Sequence, residues 1–176
     1  MPQGQEPSIE GRESQPEISV VLQLATEADH EFARMAYLVS YRDVMTKQFG
    51  SWDEEEQSKY FEIVWSDGDN QIINVEGKPS GFLQVEELPD KTWVHEVVLL
   101  PEVQGKGIGS RLLRTIQETA KQRQVPVRLN VLHANPAIEL YKRLGFEAVG
   151  EAETYTEMEW KPTQGSANSN FFQLSS

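Results

Sequence analysis

Leu99-Leu100-Pro101-Glu102-Val103-Gln104-Gly105-Lys106-Gly107-Ile108-Gly109 decides the fold. An apolar strand end runs into three glycines within five positions. Ile108, Leu112, Leu113, Ile116 and Ala120 then recur at helical spacing to about Gln124. The stretch therefore reads as strand, glycine turn and helix start. Glycine accepts left-handed backbone at little cost, so the turn can aim its N–H groups inward. The helix N-terminus adds partial positive charge. Together they form an anion cradle suited to a diphosphate, with Lys106, Arg111 and Arg114 around it. Two familiar nucleotide loops fit poorly. A Walker loop needs Gly-Lys followed by Ser or Thr after four spacers, and a dinucleotide fingerprint needs Gly where Ser110 stands. Alone, these residues also read as a plain tight turn.

Upstream, Ile18 to Leu24 reads as a strand, and Thr26 with Asp29 reads as a helix cap. Phe32, Met35, Ala36 and Val39 predict one apolar helical stripe, ended by Gly50. Residues 53–65 predict a second helix packed through Tyr60, Phe61 and Val64. Strands 70–76, 80–87 and 92–100 are split by Glu76-Gly77-Lys78 and Pro89-Asp90-Lys91, which suggests an antiparallel meander. Downstream, 125–132 reads as a strand. A helix follows, opened by Asn135-Pro136 and ended by Gly145. Residues 147–151 and 154–160 predict a closing hairpin. The order is β-α-α-β-β-β-α-β-α-β-β, an α/β fold with a mixed sheet and helices on both faces. One domain is expected over 18–160, between disordered tails at 1–17 and 161–176. Ile9-Glu10-Gly11-Arg12 resembles a processing-protease site, and Phe171-Phe172 stands out in the second tail.

The 176 residues are enough for one self-supporting core. With no cysteine, disulfides, thiolate metal sites and a Cys nucleophile are excluded. The histidines form no ligand cluster, so no metal site is expected. No apolar run is long enough to span a bilayer, and the first residues are too polar for a secretory signal, so a cytoplasmic protein is expected. Sixteen basic residues face 28 acidic ones, a net charge of −12. That opposes general binding to nucleic acid or anionic membranes. Residues 102–128 run against the trend, with six basic residues and two acidic ones. This suggests one anionic ligand or, equally simply, a solvated helix face.

A second segment, Asn135-Pro136-Ala137-Ile138-Glu139-Leu140-Tyr141-Lys142-Arg143-Leu144-Gly145-Phe146, follows about 30 residues later. By itself it is a capped amphipathic helix with a tyrosine that packs. With the glycine turn it resembles the GNAT superfamily of N-acetyltransferases. Gln104-Gly105-Lys106-Gly107-Ile108-Gly109 is similar to that family's acyl-CoA loop, and the later run to its second signature. The Asn-to-Tyr spacing is six residues rather than seven, with Ala134 at the usual asparagine position. The resemblance covers roughly 18–160.

It implies a GNAT fold whose fourth and fifth strands, 92–100 and 125–132, splay apart and admit the pantetheine arm of acetyl-CoA. Backbone groups of Val98, Leu99 and Leu100 would pair with the arm, Leu99 N–H serving as oxyanion donor. The amides of Gln104, Gly105, Lys106, Gly107, Ile108 and Gly109 would hold the diphosphate, with Ser110 and Arg111 at the margin. Asn135 would reach the arm while capping its helix, or would only cap. Tyr141 would protonate the leaving thiolate. Glu96 is the first candidate for the base that takes the amine proton; His95, on the other face of its strand, is the second. His133 is expected near a loop surface, and Glu86, Glu87 and Trp52 are candidates for the acceptor pocket.

The implied activity is direct acetyl transfer to an amine in a ternary complex. The acceptor is a small molecule or peptide, which the acidic balance would favour as a cation. A homodimer is compatible. A non-catalytic acyl-CoA-binding regulatory module and a nucleotide-dependent enzyme remain the alternatives at this point.

Overall fold

The computed structural model describes residues 17–163. The expected tails lie almost wholly outside this range, as do Ile9–Arg12 and Phe171-Phe172. Among the described residues, seven strands and four α-helices follow the expected order: β1 Val20–Leu24, α1 His30–Phe49, α2 Glu54–Ser66, β2 Asn70–Val75, β3 Lys78–Glu87, β4 Thr92–Leu99, α3 Ile108–Gln122, β5 Val127–Leu132, α4 Ala137–Arg143, β6 Glu147–Glu151 and β7 Tyr155–Trp160. They form one mixed sheet in the order β1-β2-β3-β4-β5-β7-β6. β4 and β5 pair in parallel, and the other neighbouring strands described pair antiparallel.

Local chemistry sets most boundaries. Asp29 accepts from the N–H and hydroxyl of Thr26 at 2.8 and 2.9 Å, fixing the turn before α1. Gly50 closes α1 at φ 77°. Asp53 accepts from Glu56 N–H at 3.0 Å, and three glutamates fill the first turn of α2, where the dipole favours them.

The core has two parts. Ala33, Ala36 and Tyr37 of α1 and Phe61 of α2 pack on Ile72, Ile73, Phe82 and Val98 of the sheet. Ala120 of α3, the partly buried Ile138 and Tyr141 of α4, and Leu144 just after it cover Val94, Val127, Leu129, Val131 and Met158. The α1 stripe differs from the expected one. Ala36 is buried, but Met35 and Val39 face outward and the covered partners are Ala33, Tyr37 and Leu38. Tyr60 of α2 is likewise exposed, while Phe61 is fully covered. Among the described residues, no helix is long and apolar enough to cross a membrane.

Candidate active site

β4 carries an irregularity that builds the site. Gln84 of β3 pairs with Glu96, and the next residue, Val85, pairs with Val94, so His95 has no partner. This extra residue is a bulge. Unbroken alternation would put Val94, Glu96 and Val98 on one face. The bulge separates them. Val94 faces α3 and α4, whereas Glu96 turns to α1, where Tyr41 donates its hydroxyl to Oε2 at 2.6 Å.

One residue earlier, the sheet begins to part. The β4–β5 ladder holds Thr92, Trp93 and Val94 against Val127, Arg128 and Leu129, then stops, although both strands continue. Leu100 N–H donates to Ser80 O on β3 at 2.8 Å. N–H groups alternate between strand edges, so Leu99 N–H points the other way, into the gap. By the same alternation the backbone groups of Val98 and Leu100 face β3, and those facing the gap belong to Val97 and Leu99. Leu99 O is already held there by Ser40 Oγ at 3.1 Å and Gln104 Nε2 at 2.7 Å.

The glycine turn lies at the mouth of this gap. Gly105 and Gly107 have φ of 71° and 78°, a region where a side chain is strained. A Cβ on either would meet open space. Gly107 caps α3. Among the described residues, no carbonyl accepts from the N–H groups of Gly105 to Ser110. A row of unpaired donors at a helix N-terminus fits a diphosphate in charge and in hydrogen-bonding capacity.

The walls close into a cavity of about 660 Å³. Glu96, Val98, Leu99, Gln104, Gly105, Gly107, Ile108, Gly109, Ser110, Asn135 and Tyr141 line it, as does His95. Asn135 Oδ1 accepts from Ala137 N–H at 3.0 Å, so it caps α4 while bordering the cavity. Burial pushes the Glu96 carboxyl up to about 7, partly opposed by the Tyr41 hydrogen bond. It is then half ionised near neutrality, as a base should be. Burial, and next the charge of Glu96, push Tyr141 up to about 12, which keeps its proton available.

Other expected residues lie elsewhere. Leu100 and Lys106 do not line the cavity. Arg111 turns to the start of β1, donating to Ile18 O at 2.7 Å and reaching Glu17 at 3.4 Å. His95, which also borders the first cavity, is bonded to Glu86 at 2.9 Å. Both border a second cavity of about 690 Å³ together with Glu87, which pairs with Arg123. Trp52 packs against the core, its Nε1 buried without a partner. His133 meets Glu151 at 3.1 Å on the surface. Among the described residues, no cluster of His, Asp or Glu could hold a metal. Sequence reasoning missed Tyr41, Ser40 and Arg143, which line the cavity. The spacing of Tyr37, Ser40, Tyr41 and Val44 was a second helical face that could have exposed the first two.

The profile of the acetyltransferase (GNAT) family matches residues 27–146. The chain belongs to the GNAT acetyltransferase family. An uncharacterised N-acetyltransferase of Methanocaldococcus jannaschii is 39% identical over 85 residues, 43% of this chain. That match spans only 38% of the archaeal protein's length. A ribosomal protein bS18-alanine N-acetyltransferase of Haemophilus influenzae is 27% identical over 140 residues, 79% of this chain and 84% of its own. In fold, this GNAT chain is similar to the PaiA N-acetyltransferase of Thermoplasma acidophilum, solved with coenzyme A. The TM-score is 0.66 at 21% identity, over 81% of this chain and 99% of that one.

Proposed function

We propose that this GNAT protein transfers an acetyl group from acetyl-CoA directly to a primary amine within a ternary complex. One observation carries the reading: β4 and β5 stop pairing after Val94 and Leu129 while both strands continue. The gap so formed leads from the unpaired amides of 105–110 to Glu96 and Tyr141. An extended chain with a diphosphate at one end and a thioester at the other matches those features in order.

The donor supplies an activated acyl carbon. The residues supply the rest. Gly105 to Ser110 would hold the diphosphate, and Asn135 would steady the arm. Leu99 N–H would donate to the carbonyl oxygen as charge builds on it. Glu96 would take a proton from the acceptor ammonium, leaving the nitrogen lone pair free to attack. Tyr141 would give its proton to the departing sulfur, and the second proton that the nitrogen sheds as the amide forms would restore the phenol.

The acceptor we favour is a cationic amine, because the chain carries a net charge of −12 and the proposed base is a carboxylate. The likeness to a ribosomal-protein alanine acetyltransferase favours a peptide α-amine among such acceptors. The test is thiol release from acetyl-CoA over a panel of free-N-terminal peptides and polyamines. Acceptor-dependent release with matching amine acetylation supports the reading. Acetyl-CoA binding without turnover on any amine would favour a regulatory module, and no binding would end both.

A further inference from the structure

Tyr41 and Glu96 are 55 positions apart in the chain, yet a 2.6 Å hydrogen bond joins them across the cavity wall. Tyr41 is itself held firmly. Its ring lies 4.5 Å from that of Tyr37. Tyr37 is buried and packs on Phe61 at 5.6 Å. A phenol fixed on a helix by stacked rings has few rotamers left, so its hydroxyl presents a fixed point to the carboxylate.

The two carboxylate oxygens consequently differ. Oε2 is occupied by Tyr41. Oε1 has no partner among the described residues and is not sealed from the cavity. No Lys, Arg or His pairs with Glu96 among the described residues. The ionisable groups facing it are Tyr37 and Tyr41 from α1 and Tyr141 from α4. Its neighbour across β3 is the neutral Gln84, and His95 beside it is tied to Glu86. Arg143 borders the same cavity from α4. The negative charge on Glu96 therefore depends on one hydroxyl.

We infer that Tyr41 is a positioning residue for Glu96, fixing Oε2 by its hydroxyl so that Oε1 alone receives the amine proton. The inference rests on the reading of Glu96 as the base. The balance is simple: the acceptor ammonium loses one proton to Oε1, its nitrogen keeps the electron pair, and the carboxylate becomes a carboxylic acid held by the same phenol. Charge-assisted bonds of this type are stronger than neutral ones, so the phenol stabilises the ionised state more than the acid. Removing it should make Glu96 harder to ionise.

The test is a pH titration of carboxyl-13C-labelled glutamate by NMR, with Glu96 assigned by comparison with Glu96→Gln. In Tyr41→Phe the ring stays and the hydroxyl goes, and the Glu96 midpoint should rise by about one pH unit. Tyr37→Phe, which keeps the Tyr41 hydroxyl, should move it far less. The acidic limb of kcat/KM, measured with a free-N-terminal alanine peptide and acetyl-CoA, should move with the midpoint in Tyr41→Phe. Acetyl-CoA affinity by calorimetry should be unchanged. An unmoved midpoint, or an equal loss of rate at every pH and again on the Glu96→Gln background, would overturn the inference. If Tyr41→Phe does not fold, the wild-type phenol carbon of Tyr41 serves instead: it should titrate at the Glu96 midpoint, and a phenol signal blind to that pH range would overturn the inference equally. Full activity in Glu96→Gln would remove the base assignment, while the NMR midpoint would still report whether Tyr41 controls the carboxyl.

Discussion

Replacing Glu96 with Gln should stabilise the protein at alkaline pH and abolish its turnover in the same variant. The folded state raises this carboxyl from its ordinary 4.5 to about 7, burial being the main cause. An unfolded chain releases the proton near 4.5, so the fold favours the neutral acid. That favourable contribution is fully present below 4.5 and is lost as pH rises through about 7. At pH 8 the folded state carries a buried carboxylate held by one hydroxyl. A shift of this size corresponds to roughly 3 kcal/mol at about 1.4 kcal/mol per pH unit. Partial access to the cavity reduces the expectation to about 2 kcal/mol. Gln keeps the shape and an oxygen for Tyr41 but never ionises. Urea unfolding followed by tryptophan fluorescence should show wild type and Glu96→Gln nearly equal at pH 5. The variant should be about 2 kcal/mol more stable at pH 8. A stability difference that stays flat from pH 5 to pH 8 would refute the assignment of a raised, buried carboxyl.

Four further outcomes follow from the structure. Tyr141→Phe should lower kcat by about 10²-fold or more with acetyl-CoA affinity intact, as expected for a lost proton donor; thiol-release kinetics and calorimetry check this together. Gly107→Ala places a side chain at φ 78°, so it should cost about 1–2 kcal/mol in urea unfolding and weaken acetyl-CoA binding. Gly109→Ala, whose Cβ would meet Leu140 at an ordinary 3.5 Å, should behave like wild type in both assays. Phe61→Ala, at the fully covered centre of the α1–α2 core, should lose about 3–5 kcal/mol by urea unfolding.

What could be read from the sequence was what short segments decide for themselves. Gly50, Gly105, Gly107 and Gly145 sit where left-handed backbone is needed, so the turns and element order were legible. Asn135 and Asp53 cap through contacts two and three residues away. The bulge at His95 was not legible, because it arises from the register with β3 and not from β4 alone. It nevertheless decides that Glu96 faces α1. The Tyr41–Glu96 contact was hidden for the same reason. In α1, apolar residues occur on more than one side, and only the sheet selects Ala33, Ala36 and Tyr37 over Met35 and Val39. The basic run 102–128 was also ambiguous: Arg111, Arg123 and Arg128 are engaged by carbonyls and carboxylates of the fold itself.

The central claim is that the glycine turn and the opened strand pair hold acetyl-CoA. Backbone-amide NMR during an acetyl-CoA titration addresses it most directly. The account predicts saturable one-to-one binding, with the largest shifts at Leu99 and across Gly105 to Ser110. Binding that leaves those amides unmoved, with the large shifts centred elsewhere on the sheet, would contradict it.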